Sequence, residues 1–173
     1  CGSTAGDGPR PPPETPPDGW RDEAFNASAS LPDGGLATIF QPDGSQDWPV
    51  VVALHGRGEA GRGLDAGAHG WRDDYDLERV RARLVTGSLT AEDGKGFVKP
   101  DRLRELNASI ARDPFRGLVI ACPYTPAPQD RSLREAKPFG DFVTKELRSR
   151  IEERRGAPIA RAGFGIDGVS MGG

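Results

Sequence analysis

The chain has 173 residues, about one domain's worth on the usual range of roughly 100 to 200 residues each. Hydrophobic residues make up 35% of it, enough for a core, while 24 Gly and 16 Pro predict long irregular connections. A formal net charge of −3 offers no basic surface for a phosphate backbone and argues against nucleic-acid binding. No apolar run reaches the roughly 18 to 20 residues that a membrane-spanning helix needs.

The first residues differ in composition from the rest. Residues 1–19 are rich in Pro and Gly and are predicted to form a disordered tether. Cys1 before small residues resembles the mature end of bacterial lipoproteins, which implies a removed signal peptide and a lipid on this thiol. The expected location is then the cell envelope, at the outer membrane or in the periplasm, with secretion as the alternative. An arbitrary start and a Cys1–Cys122 disulfide are the other interpretations, although two cysteines make a poor disulfide framework.

Five segments have the residue pattern of β-strands. They are residues 24–30, 36–41, 49–54, 118–122 and 164–169. The first two are joined by a Pro-Asp-Gly-Gly turn, which predicts a hairpin. The next two are unbroken apolar runs, typical of strands buried on both faces of a parallel sheet.

Helical spacing of apolar residues appears three times between the predicted strands. The repeats are Leu77, Val80 and Leu84; Leu103, Leu106 and Ile110; and Phe139, Phe142, Val143, Leu147 and Ile151. The last helix is predicted to begin at Pro138 and to end at Gly156. Strands that alternate with helices predict an α/β fold, here a mostly parallel sheet with an N-terminal antiparallel hairpin.

The connection between the two apolar strands is long. Residues 58–115 exceed what one helix with short loops requires, so they are interpreted as an insertion that holds both middle helices. Its irregular part, residues 87–99, either overhangs the carboxyl ends of the strands, where ligands bind in such sheets, or is a packing insertion without a role in binding.

Residues 168–172 fit the pattern G-x-S-x-G directly after a predicted strand. In this pattern a serine sits on a sharp strand-to-helix turn that lifts its hydroxyl above the sheet, and flanking side chains would collide with the turn. The apolar strand 49–54 is followed by His55-Gly56-Arg57. An HG dipeptide at the end of a strand is typical of a loop that donates an amide to a developing oxyanion.

The matching pieces are residues 49–56, 139–147 and 168–173. On these the sequence resembles the esterase D or putative-esterase group of α/β-hydrolases, with polyhydroxyalkanoate depolymerase-like esterases as close competitors. The resemblance implies a carboxylic ester hydrolase that forms an acyl-enzyme on Ser170, with a small-molecule or lipid-like ester as substrate and with no cofactor and no metal ion. It also implies supporting residues: the amides of Arg57 and Met171 as the oxyanion hole, and His55, Gly56, Gly168 and Gly172 as parts of the two motifs.

The sequence departs from this group in its catalytic acid and histidine. The triad order is Ser, then Asp or Glu, then His, but both histidines of the chain, His55 and His69, precede Ser170. His55 is expected to be a structural hydrogen-bonding group, and His69 to lie in an exposed loop. Residues 20–173 are therefore interpreted as the N-terminal portion of a larger hydrolase domain, truncated after the elbow strand and nearly inert alone. The alternative is a non-catalytic envelope lipoprotein that uses a degenerate hydrolase scaffold for binding.

Two further features are interpreted as structural. The carboxylates of Asp73, Asp74, Asp76 and Glu78 lie at a predicted helix start, where they favour the helix dipole more simply than they form a metal site. Cys122 ends an apolar strand and is expected to be an inert core thiol.

Overall fold

The computed structural model describes residues 19–44, 47–128 and 132–173. Cys1 and its predicted lipid lie outside these residues, as does all of the predicted tether except Gly19. The described strands are β1 (Trp20–Phe25), β2 (Gly35–Phe40), β3 (Val50–Leu54), β4 (Val119–Pro123) and β5 (Phe164–Gly168). The described α-helices are α1 (Arg57–Ala60), α2 (Leu64–Ala68), α3 (Gly70–Asp73), α4 (Leu77–Thr86), α5 (Pro100–Arg112), α6 (Leu133–Asp141) and α7 (Arg148–Arg155).

The five strands form one sheet in the order β1-β2-β4-β3-β5. β3 pairs in parallel with β4 and β5, whereas β2 is antiparallel to both β1 and β4. Four of the five strands therefore run in the same direction and only β2 runs in the opposite one, so the sheet is mixed and the predicted N-terminal hairpin forms its antiparallel part. The hairpin packs directly against the central strand β4, which adds a second antiparallel pairing.

The sheet lies between two helical layers. On one face, Val50 and Val52 of β3 pack against the segment 142–151, which contributes four buried apolar side chains. On the other face, Ala53 and Ile120 pack against apolar residues of α3 and α4. Because successive residues of a buried strand point to opposite faces, a continuous apolar run such as 50–54 is what this three-layer arrangement requires.

Two predicted boundaries are wrong. β1 begins at Trp20, earlier than the predicted residue 24, and its residues through Phe25 pair with β2. The helix predicted to begin at Pro138 instead begins at Leu133, and Pro138 lies inside α6. The Ser132 hydroxyl accepts a hydrogen bond from the Glu135 amide and caps the helix, which therefore begins five residues before the predicted proline. The chain continues through a π-helical turn (Phe142–Leu147) into α7, which ends at Gly156 as predicted.

The long connection from β3 to β4 is mostly helical. It holds the two predicted helices, α4 and α5, and also the short helices α1, α2 and α3, which no apolar repeat indicates. The irregular part, residues 87–99, folds back on these helices: Asn107 exchanges two hydrogen bonds with the backbone of Leu89, and Lys95 bonds to the Asp74 carbonyl. Among the described helices, none combines the length and the apolar character needed to cross a bilayer.

Candidate active site

Ser170 occupies a tight turn immediately after β5. Its φ angle of 55° lies in the left-handed region, which a residue with a Cβ enters only at a cost of about 1–2 kcal/mol. A hydrogen bond of 3.1 Å from the Val169 amide to the Leu54 carbonyl continues the β3–β5 pairing up to the turn. The side chain of Ser170 is exposed and makes no hydrogen bond within the described part of the chain. The strand pairing and the turn together present a free hydroxyl at the carboxyl end of β5.

The glycines around the serine are required by close backbone approach. A Cβ on Gly168 would lie 2.1 Å from the Gly172 carbonyl oxygen, and a Cβ on Gly172 would lie 2.5 Å from the Leu54 carbonyl oxygen. Real Cβ atoms do not come this close to backbone oxygens. The turn can therefore close against β3 only if both positions lack a side chain, which is the steric reason for the G-x-S-x-G spacing.

His55 is fully buried in the loop after β3, and both of its ring nitrogens are occupied. Nε2 accepts a hydrogen bond of 2.7 Å from the Thr125 amide, so the neutral ring carries its proton on Nδ1, which donates to the Gly56 carbonyl at 2.9 Å. Burial lowers the pKa of His55 and keeps the ring neutral. The side chain fastens the loop after β3 to the loop after β4, 70 residues away in the chain.

The loop after β3 and the serine turn meet at Gly56. A Cβ on Gly56 would lie 3.5 Å from the Ser170 Cβ and 3.7 Å from the Val169 carbonyl oxygen. Arg57 follows as the first residue of α1, where backbone N–H groups have no acceptor within the helix. Met171 follows the serine in a single 3-10 turn. The amides predicted for the oxyanion hole thus belong to the residues that directly follow Gly56 and Ser170.

His69, the other histidine, is engaged elsewhere. Its Nε2 lies 2.9 Å from a carboxylate oxygen of Asp22 on β1. β1 is the far edge of the sheet from β5, and the four intervening spacings of about 4.8 Å each separate the two strands by roughly 19 Å. Neither histidine of the chain is placed to accept a proton from Ser170.

The acidic residues at the start of α4 are matched by cations and do not form a metal site. Asp73 pairs with Arg72, Asp74 with Arg62, Asp76 with Arg79 and Lys95, and Glu78 with Arg81. Among the described residues, no group of three or more His, Cys, Asp or Glu side chains could hold a metal ion. The Cys122 thiol is buried on β4, and burial raises its pKa well above the usual range, which makes it unreactive.

Two residues near the serine turn were missed by the sequence analysis. Glu59 of α1 directs its Oε2 to 3.1 Å from the Cβ position of Gly56, and its Oε1 accepts a hydrogen bond of 3.1 Å from the Tyr75 hydroxyl. The position of Glu59 in the sequence, two residues after Arg57, is the only local signal that could have identified it. Nothing near Tyr75 in the sequence indicates this contact, because it depends on how α1 packs against the loop after α3.

A cavity of about 140 Å³ is lined mostly by apolar side chains of β3, β4, α3, α4 and the segment before β4, together with Arg81 and Asp167. Ser170 does not line it. Ser170 is instead exposed, in a turn that packs against α1, and the cavity lies under α4.

No protein-family model and no curated protein sequence matches the chain. Among solved structures it is similar to an S-formylglutathione hydrolase from Agrobacterium tumefaciens, with a TM-score of 0.51 and 18% identity over 92% of this chain and 52% of that one. It is also similar to a structure named FAE, a feruloyl esterase, with a TM-score of 0.48 and 13% identity over 94% of this chain and 51% of that one.

The chain spans about half the length of both proteins. The likeness to the S-formylglutathione hydrolase shows that the chain shares the fold of about half of that protein. The predicted α/β fold, with helices packed on a five-stranded sheet, is confirmed at this level.

Proposed function

We propose that the chain carries the nucleophile of a serine carboxylic ester hydrolase, and that Ser170 is this nucleophile. The observation that carries the proposal is the meeting of two loops: Ser170 stands in a left-handed turn with its Cβ beside Gly56, at the end of the neighbouring parallel strand. A free hydroxyl next to the first amides of a helix and of a 3-10 turn is suited to attack on a carbonyl carbon.

In the proposed reaction, the Ser170 oxygen forms a bond to the ester carbonyl carbon while its proton passes to a general base. The amides of Arg57 and Met171 stabilise the oxyanion that develops, a contribution of about 10²–10³ in rate for each such donor. The bond to the alcohol then breaks, the alcohol leaves with the proton, and an acyl-enzyme remains. Water attacks the acyl-enzyme, releases the acid and restores the serine. No cofactor enters this sequence of steps.

The general base is proposed to come from outside these 173 residues. His55 is buried with both nitrogens bonded, and His69 is paired with Asp22 at the far side of the sheet. Serine hydroxyls without an adjacent base are poor nucleophiles. The chain covers only 52% of the length of the S-formylglutathione hydrolase. A full-length protein of that size would have room for the acid and the histidine of a triad.

The test is labelling and turnover with the full-length protein. A fluorophosphonate probe is expected to label Ser170, and Ser170→Ala is expected to abolish both labelling and hydrolysis of p-nitrophenyl acetate. Ser109→Ala, which changes an exposed serine on α5, serves as the matched control and is expected to keep both. Hydrolysis that survives in Ser170→Ala would overturn the assignment. A full-length protein that neither reacts with the probe nor turns over esters would instead favour the non-catalytic binding scaffold.

A further inference from the structure

Glu59 places a carboxylate at the edge of the serine turn. Its Oε2 and the Ser170 Cβ lie 3.1 Å and 3.5 Å, respectively, from the same point, the position that a Cβ on Gly56 would take. α1 also packs against the 3-10 turn that follows Ser170. An ester whose carbonyl carbon reached the serine oxygen would therefore bring its other substituents close to this carboxylate.

The Glu59 side chain is held in this direction by two contacts. The Tyr75 hydroxyl donates a hydrogen bond of 3.1 Å to Oε1, and burial together with this bond raises the pKa of Tyr75, so the phenol remains a donor. The stem of Glu59 packs on the backbone of α3, where a Cβ on Gly70 would lie 2.8 Å from Glu59 Cγ. One carboxylate oxygen is thus fixed, and the other is directed at the serine turn.

Oε2 has no partner within the described part of the chain. No lysine or arginine there forms an ion pair with Glu59, and Arg62, which lies near it, is bound to Asp74. The guanidinium of Arg57 is exposed at the end of a long side chain and pairs with no described carboxylate. Glu59 differs in this respect from the acidic residues at the start of α4, all of which are matched by cations. An unmatched, oriented charge beside a nucleophile is available to a substrate.

We propose that Glu59 is a specificity-determining residue that favours esters carrying an ammonium group near the scissile bond and disfavours esters carrying a carboxylate there. This inference rests on the proposed esterase function. A fixed charge a few ångströms from the bound ester attracts the opposite charge and repels a like charge, and the difference adds to discrimination between otherwise similar substrates. Added salt is expected to weaken the preference, because the site is open to solvent.

Three acetate esters of similar shape separate charge from size. They are acetylcholine, its uncharged isostere 3,3-dimethylbutyl acetate, and 3-acetoxypropanoate. With the full-length protein, acid release in a pH-stat gives kcat/KM for each ester. Glu59→Gln is expected to lower the ratio of kcat/KM for the cationic ester over the anionic ester by about tenfold or more, and to leave the neutral ester within about threefold of the wild type.

Two further variants keep the test decisive. Glu92→Gln makes the same chemical change on an exposed residue of the segment 87–99, and it is expected to leave the ratio unchanged. Tyr75→Phe removes the hydrogen bond that orients Glu59 and is expected to lower the ratio by a smaller factor, which gives an answer even if Glu59→Gln does not fold.

The outcomes distinguish this inference from the function on which it rests. If the wild type hydrolyses the neutral ester in a Ser170-dependent manner but Glu59→Gln and Tyr75→Phe keep the wild-type ratio, the inference is wrong and the esterase stands. A loss of all three activities by the same factor in Glu59→Gln, with a wild-type ratio, would mark Glu59 as structural and also overturn the inference. If the wild type has no Ser170-dependent activity on any of the esters, both proposals fall.

Discussion

The loop after β3 and the turn after β5 meet at one point, but they are held in different ways. The loop after β3 is fastened by a side chain: His55 is fully buried and bonds to the backbone of both its own loop and the loop after β4. The turn after β5 is closed by backbone contacts that only glycine permits, because Gly168 and Gly172 let the backbone pack against itself and against β3. Ser170, the proposed nucleophile, is exposed and has a left-handed φ angle.

The difference suits the proposed esterase mechanism. An amide that is to stabilise an oxyanion must already be in position before the reaction. His55, which is buried and hydrogen-bonded through both ring nitrogens, restrains the loop that carries this amide. A nucleophile must reach solvent and substrate, so it cannot be fastened through its own hydroxyl. The chain instead restrains the backbone around it, at the cost of a left-handed serine.

The largest effect is expected from filling the glycine contact of the serine turn. In Gly172→Ala, the new Cβ would lie 2.5 Å from the Leu54 carbonyl oxygen, so the turn must move away from β3. We expect esterase activity to fall about 10²-fold or more, as for loss of an oxyanion donor, and stability to fall by about 1–3 kcal/mol, as for overpacking. Turnover of p-nitrophenyl acetate and urea unfolding measure the two effects.

Gly140→Ala is the matched control for this variant. Gly140 lies in α6, where an added Cβ meets nothing within 4 Å, so we expect unchanged activity and up to about 1 kcal/mol of added stability. Wild-type turnover by Gly172→Ala would show that the close approach at the serine turn has no importance for activity.

The next effect concerns the fastened loop. His55→Ala removes two hydrogen bonds, leaves the buried Thr125 amide without an acceptor and opens a cavity, which together should cost about 2–4 kcal/mol of unfolding free energy. His69→Ala removes only a partly exposed pair with Asp22 and should cost about 1 kcal/mol or less. Urea unfolding of both variants shows which histidine contributes more to the free energy of unfolding. Equal losses would contradict the assignment of His55 as the fastening residue.

The sequence predicts those parts of the site that depend on neighbouring residues. The apolar runs around β3 and β4 and the spacing of Gly168, Ser170 and Gly172 are local patterns with a local physical cause. The hydrogen bond from the Thr125 amide to His55 joins residues 70 positions apart, and no sequence pattern in either segment predicts it.

The same limit applies to the fold. Which strand the predicted hairpin joins is a tertiary choice that propensity does not encode. Proline suits the first turn of a helix, so the sequence predicts a helix start at Pro138. The Ser132 cap and the packing of Phe139 on the core instead place that proline inside α6.

A smaller effect should appear in the pH dependence of stability. Burial lowers the pKa of His55 below its ordinary value of 6.5. Below this pH the unfolded chain takes up a proton that the folded loop does not, so the His55 contribution is complete above about pH 6.5 and declines as the pH falls. The decline is at most about 1.4 kcal/mol per pH unit and ends once the pH is below the folded-state pKa.

The measurement compares urea unfolding of the wild type and His55→Asn between pH 8 and pH 5. Carboxylates are common to both proteins, so their contributions cancel in the difference. We expect the wild type to lose stability relative to the variant as the pH falls through this range. Parallel curves would show that the pKa of His55 is the same in the folded and the unfolded chain, and that burial therefore does not lower it.

The smallest effect tests the backbone strain at Ser170, the proposed nucleophile. Ser170→Gly and Ser170→Ala both remove the hydroxyl, but only glycine also removes the Cβ from a residue at φ 55°. Relief of about 1–2 kcal/mol of left-handed strain, less the larger entropy that glycine has in the unfolded chain, should make Ser170→Gly about 0.5–1 kcal/mol more stable than Ser170→Ala. Urea unfolding of the two variants, measured side by side, resolves a difference of this size. If Ser170→Ala were the more stable of the two, the backbone at residue 170 would not be strained. The tight turn that Gly168 and Gly172 permit would then form without a conformational cost at the serine.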